Sequence, residues 1–241
     1  RVLFRSMAEG GANNLFFAGD LGQRIFQTPF SWASLGVQIR GRSSILRINY
    51  RTSHQIRMQA DLLLDKKISD VDGNEEDRSG TVSVFNSIKP IVKVYDDDSA
   101  EIKGVAEWIT KRIEDGASAG EIGIFVRSAA QMPRAEQSIK VAGLKAKVLD
   151  ENSEPDQDHV TVSTMHLAKG LEFRFVAVIA CDDEVIPSQE RIEEITDQSD
   201  LDEVYNTERH LLYVACTRAR DGLLVCGSGL GSEFLDDLSL S

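Results

Sequence analysis

The stretch VTVSTMHLAKGLEFRFVAVIAC, residues 160–181, places two apolar runs on either side of a polar loop. VTVSTM (160–165) and FRFVAVIAC (173–181) are short and rich in β-branched and aromatic residues, so both read as strands. Between them His166, Lys169 and Glu172 crowd around Gly170, charged side chains at a strand end where packing alone would not choose them.

Working outward, further apolar runs alternate with helical patterns in the order of an α/β domain. Strands are expected at NLFFAG (14–19), SILRIN (44–49), TVSVF (81–85), IVKVY (91–95), EIGIFV (121–126) and LLVCG (223–227). One helix is expected from near Ser53 to about Leu64. A second opens on Asp98 and Glu101 as a capping box and gathers Ile102, Val105, Ala106, Ile109 and Ile113 on one face. A third is expected from about Asp202 to Ala219. Segments 69–79, 150–158 and 188–201 are polar, acidic and poor in large apolar residues, which predicts disorder there. Asp20, the Tyr50–Arg51 pair, Arg127 and His166 each follow a predicted strand directly, which points to one shared ligand-facing edge.

At 241 residues, with 41% hydrophobic and 27% charged residues, the chain has the length and composition of a soluble globular protein. FVAVIAC (175–181) is the longest apolar run and is too short for a bilayer span, and no charged-then-apolar leader opens the chain. No membrane partner and a cytoplasmic location are therefore expected. Cys181, Cys216 and Cys226 sit in apolar runs and read as buried free thiols. The net charge of −12 runs against nucleic-acid binding. Its distribution matters more than its sum: Arg24, Arg40, Arg42, Arg47, Arg51 and Arg57 make the N-terminal region basic, while acid gathers in later loops.

The polar groups themselves narrow the chemistry. In GDLGQRIF (19–26), Gln23 can donate and accept at once, which suits a phosphate or an attacking water, although the string is also an ordinary Gly/Asp turn. In LRINYRTSHQI (46–56), Tyr50 presents a ring to a flat partner and Arg51 a planar fork of donors suited to phosphate. In ERHLLYVACTRAR (208–220), Leu211, Val214 and Ala215 form an apolar stripe whose next position is Arg218; a guanidinium buried there must meet an anion, either a ligand or an internal carboxylate. His166 and Glu172 lack the helical spacing of metal ligands, and no activated nucleophile accompanies them. VAVIACDDE (176–184) imitates a Mg²⁺-holding acidic strand but is assigned to structure.

Taken together, GDLGQ, NYR, TMHLAKGLEF and YVACTRAR resemble, in order, the third to sixth motifs of UvrD/Rep-type superfamily 1 DNA helicases. The resemblance covers roughly residues 14–228. It implies a RecA-like, P-loop NTPase-type α/β fold, a mostly parallel sheet flanked by helices. Residues 1–35 would be a remnant of a first motor domain and 36–241 the second motor domain. Only about fifteen residues separate Leu144 from the next motif strand, so the large accessory insertion of bigger relatives is expected to be absent. By the same resemblance, Tyr50 would stack on adenine, Gly170 and Glu172 would bind the ribose of ATP, Arg51 and Arg218 would reach its γ-phosphate, and Gln23 would couple nucleotide to DNA. Single-stranded DNA would be met by Phe26, Trp32, Arg127, Ser128 and His166. The usual Trp-Arg pair after the third motif is replaced by Thr28 and Pro29, with Phe30 and Trp32 as nearby aromatic substitutes.

No G-x-x-x-x-G-K-[ST] phosphate loop occurs in the chain. The groups that hold Mg²⁺ and the β-phosphate of ATP are thus expected in an N-terminal motor domain of the same protein, the chain's principal partner besides DNA. No metal site is expected within the chain. The alternative is a non-enzymatic DNA- or protein-binding adaptor derived from a helicase half, and the resemblance implies a bacterial-type, nucleoid-associated setting.

Overall fold

The computed structural model describes residues 44, 46–65, 67–69, 75–77 and 80–239. GDLGQRIF, and with it Gln23, Phe26 and Trp32, lies outside the described residues, as do Asp20, the strand expected at 14–19 and the whole 1–35 segment.

The first described elements form small pairings of their own. β1 (Ile48–Asn49) runs parallel to β4 (Val82–Ser83), with helix α1 (His54–Asp61) between them in sequence. β2 (Lys67–Ser69) and β3 (Glu75–Asp77) pair antiparallel, with β3 inside the 69–79 segment expected to be disordered and β2 ending where that segment begins. The strands at 44–49 and 81–85 are thus shorter than the apolar runs suggested.

The main body follows. β5 (Ile91–Tyr95), α2 (Asp98–Glu114), β6 (Ile122–Val126), α3 (Met132–Val141), β7 (Ala146–Val148), β8 (Val160–Thr164) and β9 (Phe173–Val178) come first. The short helix α4 (Gln189–Glu193), α5 (Gln198–Cys216), β10 (Ala219–Ser228) and α6 (Glu233–Ser239) complete it. Six strands make one sheet in the order β5-β10-β9-β6-β8-β7, and every pairing in it is parallel. Strands buried on both faces read as continuous apolar runs, which is why IGIFV of β6 is buried at all five positions. On one face α2 and α3 pack Val105, Ile109, Ala135 and Ile139 onto Ile124, Val162 and Ala177. On the other, α1, α5 and α6 bring Ile56, Leu211, Val214 and Phe234 against Phe125, Val176 and Val225. The expected α/β arrangement, a parallel sheet flanked by helices, is the one observed.

Three local expectations need correction. Helix α2 is capped by Asp97, whose side chain accepts from the Ala100 amide at 2.8 Å, and not by an Asp98–Glu101 box. Glu101 is fully buried instead, accepting from the Ala180 amide at 3.0 Å and from Arg134 at 2.8 Å. Helix α5 starts at Gln198, four residues early, because Asp197 caps it by accepting from the Ser199 and Asp200 amides. Segment 150–158 is also ordered: Asp150 accepts from Asn152, and Asp156 pairs with His159 and Lys147, holding its carboxyl down at about 2.

Cys181, Cys216 and Cys226 are buried free thiols, as expected. Burial pushes Cys216 up to about 12 and raises the other two well above their ordinary value.

Candidate nucleotide and nucleic-acid site

A parallel sheet has an exit edge, where the strands end, and an entry edge, where they begin. Residues 165–172 connect β8 to β9, which lie on either side of β6, so this short segment must run from the exit edge back to the entry edge. It does so without a full helix. Met165–Ala168 form a single 3-10 turn whose Met165 and Ala168 are buried in the core on the α5 face. Gly170 then adopts φ +95°, a left-handed conformation that favours glycine. The result is that His166 stands at the exit edge and Glu172 at the entry edge.

Three distant stretches meet at the entry edge. Asn49 accepts from the Arg51 amide at 2.8 Å and the Thr52 amide at 3.2 Å, a local turn that fixes Tyr50 and Arg51. Arg51 donates to the Leu171 carbonyl at 2.8 Å and pairs through Nε with Glu172 at 2.9 Å. Arg218, only 1% exposed, follows helix α5 directly and donates to Val214 O at 2.9 Å, to Thr217 Oγ1 at 3.1 Å and to Leu171 O at 3.5 Å. Two guanidinium groups, from residues 51 and 218, therefore converge on the carbonyl oxygen of Leu171. Beside them Tyr50 is 68% exposed, leaving a flat aromatic side chain open to solvent. The arrangement can receive a polyanion carrying a planar group: arginine forks for phosphate, a ring for stacking and a half-exposed carboxylate for hydroxyls.

The exit edge is different in kind. Arg127, directly after β6, is buried and grips fully buried Glu208 of α5 in a bidentate pair, at 2.6 Å through Nε and 2.7 Å through the terminal nitrogen. Arg191 of α4 donates to the same carboxylate at 2.8 Å. Ser128 caps the following turn, accepting from the Ala130 amide at 3.3 Å and donating to Gln131 at 2.9 Å. His166 is half-buried near this cluster. Burial lowers its pKa most, Arg127 and Arg191 lower it further, and Glu208 opposes them.

Further along the exit edge lies an open cleft of about 730 Å³ lined by Asp96, Asp97, Asp98, Asp182, Asp183 and Glu184. Asp182 accepts there from Arg134 at 2.7 Å and from the Ser228 amide at 2.7 Å, which agrees with its assignment to structure. Among the described residues no His, Cys, Asp and Glu cluster is arranged to hold a metal ion.

The sequence suggested one shared ligand-facing edge. The structure divides it: Tyr50 and Arg51 join Gly170, Glu172 and Arg218 at the entry edge, while Arg127, Ser128 and His166 remain at the exit edge. A strand-end position in sequence does not fix an edge here, because β1 belongs to a separate two-stranded pair and its exit delivers Arg51 to the start of β9. Glu208 and Arg191 were missed. Glu208 lies on the same apolar stripe as Leu211, Leu212 and Ala215, so the reasoning that singled out Arg218 applied equally to it.

A family model matches part of these edges: His166, Gly170, Glu172, Glu208 and Arg218 fall within it, whereas Tyr50, Arg51, Arg127 and Ser128 precede it. Residues 149–228 match the UvrD-like helicase C-terminal domain. Over that stretch, about a third of the chain, the protein is similar to the C-terminal domain of UvrD-like helicases. The ATP-dependent DNA helicase Rep of Escherichia coli (strain K12) is 38% identical over 71 residues, which are 30% of this chain and 9% of that protein. Rep of Buchnera aphidicola is 38% identical over 77 residues, 32% of this chain and 11% of that protein. The ATP-dependent DNA helicase PcrA of Staphylococcus epidermidis is 36% identical over 78 residues, covering 32% of this chain and 10% of that one. The matched stretch thus spans about a tenth of these relatives' length. In three dimensions the chain is similar to the crystal structure of the C-terminal domain of a possible DNA helicase from Lactobacillus plantarum WCFS1. The TM-score is 0.54 at 20% identity, covering 79% of this chain and 94% of the other, a likeness of fold. No helix among the described residues is long and apolar enough to cross a membrane.

Proposed function

We propose that this chain is the second motor domain of an ATP-dependent DNA helicase or translocase, with its nucleotide face at the entry edge and its single-stranded DNA face at the exit edge. The observation that carries the reading is the convergence of Arg51 and Arg218 on the Leu171 carbonyl, beside Glu172 and an exposed Tyr50. In this reading Tyr50 stacks on the adenine, Gly170 leaves room for the ribose and Glu172 accepts from its hydroxyls. Arg51 and Arg218 neutralise charge developing on the γ-phosphate, a role worth about a thousandfold or more in hydrolysis rate. Gln23, from the preceding motor segment, reports the state of the nucleotide, and Phe26 and Trp32 stack on bases. His166 and Ser128 face the DNA backbone, with Arg127 supplying positive charge from behind.

Mg²⁺ and the β-phosphate fall to the phosphate-loop domain of the same protein. The chain alone is accordingly expected to hydrolyse little or no ATP, with or without DNA. The test is single-stranded-DNA-stimulated ATPase activity, measured for the 241-residue chain and for the polypeptide that also carries the phosphate-loop half. Activity confined to the longer protein and abolished by Arg218→Ala supports the reading. Robust turnover by the chain alone, or a longer protein indifferent to Arg218→Ala, overturns it. DNA binding by a longer protein that never hydrolyses ATP points instead to an adaptor.

A further inference from the structure

Glu208 is an expensive residue for its position. It is fully buried on the apolar stripe of α5, and replacing a buried ion pair by packed apolar groups is often neutral or stabilising. Its two cations come from other elements, Arg127 from the end of β6 and Arg191 from α4. The carboxylate therefore ties α5 to the exit edge at one point. From Glu208 the helix runs on to Cys216, about 12 Å at 1.5 Å per residue, and Arg218 follows at the entry edge.

The 165–172 crossover joins the same two edges along the same face of the sheet. At the entry edge Arg218 donates to Leu171 of that crossover. At the exit edge helix α5 packs against the Met165–Ala168 turn of the crossover, whose Met165 and Ala168 share its core with Leu211 and Ala215. Helix and crossover thus form a closed frame, joined by Arg218 at the entry edge and by apolar packing at the exit edge, where Arg127 and Arg191 hold the helix. Packed elements of this kind move as units and do not deform continuously.

We propose that Glu208 is a positioning residue that couples the two edges: by fastening α5 to Arg127 and Arg191, it makes contact of a phosphate backbone at the exit edge felt at Arg218 on the opposite side. This rests on the DNA reading given above. The three formal charges of Arg127, Arg191 and Glu208 leave one positive charge at the exit edge, so an incoming phosphate competes with Glu208 for the same guanidinium groups. Any shift in that competition displaces the carboxylate, and with it the helix that positions Arg218.

The experiment uses the 241-residue chain and an oligo(dT) probe. Binding is followed by anisotropy of a fluorescein label, and the nucleotide edge by the Nε–Hε NMR resonance of Arg218. In the unaltered chain, oligo(dT) is expected to bind and to shift the Arg218 resonance. Glu208→Gln is expected to bind the probe at least as tightly while losing that shift. Arg191→Gln alters a more exposed side chain, removes one of the two cations and is expected to weaken the shift, which keeps the proposal testable if Glu208→Gln folds poorly. Binding without any Arg218 shift in the unaltered chain, or an undiminished shift in both variants, overturns the coupling and leaves the DNA reading standing. Loss of binding in Glu208→Gln makes Glu208 part of the DNA contact itself and also overturns it. Failure of the unaltered chain to bind oligo(dT) removes the DNA reading and this inference together.

Discussion

Replacing Glu101 by alanine should unfold this domain more easily by about 3–5 kcal/mol, and the structure says where that cost arises. Glu101 is fully buried and its two carboxylate oxygens have separate tasks. One accepts from the Ala180 amide at 3.0 Å, where the chain leaves β9 with Ala180 at φ +55°. The other accepts from Arg134 at 2.8 Å. Alanine strands the Ala180 N–H in the interior, at about 1–3 kcal/mol, and removes roughly one buried methylene, about 0.8 kcal/mol. Arg134 keeps Asp182 at 2.7 Å and Asp98 at 2.9 Å, so its loss stays near 1 kcal/mol and below the 3–5 kcal/mol of a fully orphaned buried charge. Burial works against the charge of Arg134, but its hydrogen bonds to Glu101 and Asp182 outweigh that and raise its pKa.

Glutamine at the same position keeps the shape. One of its two faces must be the amide NH₂, which meets either the Ala180 N–H or the Arg134 N–H as donor against donor. It should therefore cost about 2 kcal/mol, less than alanine but not nothing. Urea unfolding followed by far-ultraviolet circular dichroism measures both, with an unchanged slope expected if only stability changes. An alanine variant less than about 1 kcal/mol weaker than the unaltered chain, or a glutamine variant worse than alanine, would refute the assignment of Glu101 as the buried acceptor for Ala180.

His166 should make stability depend on pH. Burial, and then Arg127 and Arg191, favour its neutral form in the folded state, so the unfolded chain binds more protons below the ordinary value of 6.5. The contribution is complete above that pH and is lost as the pH falls through the window beneath it. His166→Gln should flatten this part of the profile, and a histidine Hε1 titration midpoint at or above 6.5 for His166 would contradict the burial. The three cysteines should resist Ellman's reagent in the folded protein and all react in guanidinium, because each thiol is buried and held protonated. Rapid native labelling of any of them would show that the sheet and α5 do not enclose it.

Periodicity made much of the fold legible. IGIFV and FRFVAV are too continuously apolar for a sheet with a wet face, and both proved central strands of a parallel sheet. The α5 stripe also signalled correctly that Arg218 is buried. Capping was less legible: Asp97 and Asp98 are adjacent carboxylates, and only the backbone geometry decides which one accepts from the helix. For the same reason Glu101 could not be told from an ordinary capping glutamate.

Sequence by itself thus determined which residues are unusual: Tyr50, Arg51, His166, Glu172 and Arg218 stand out because their chemistry disagrees with local packing. Only the tertiary structure decided which of them meet. Strand order is a non-local choice, and placing β6 between β8 and β9 is what forces residues 165–172 across the sheet and separates His166 from Glu172. Likewise the partnership of Arg127 with Glu208, 81 residues apart, follows from packing α5 over the sheet. Local pattern marks the apolar faces of each element, but contacts between distant segments depend on how the layers stack.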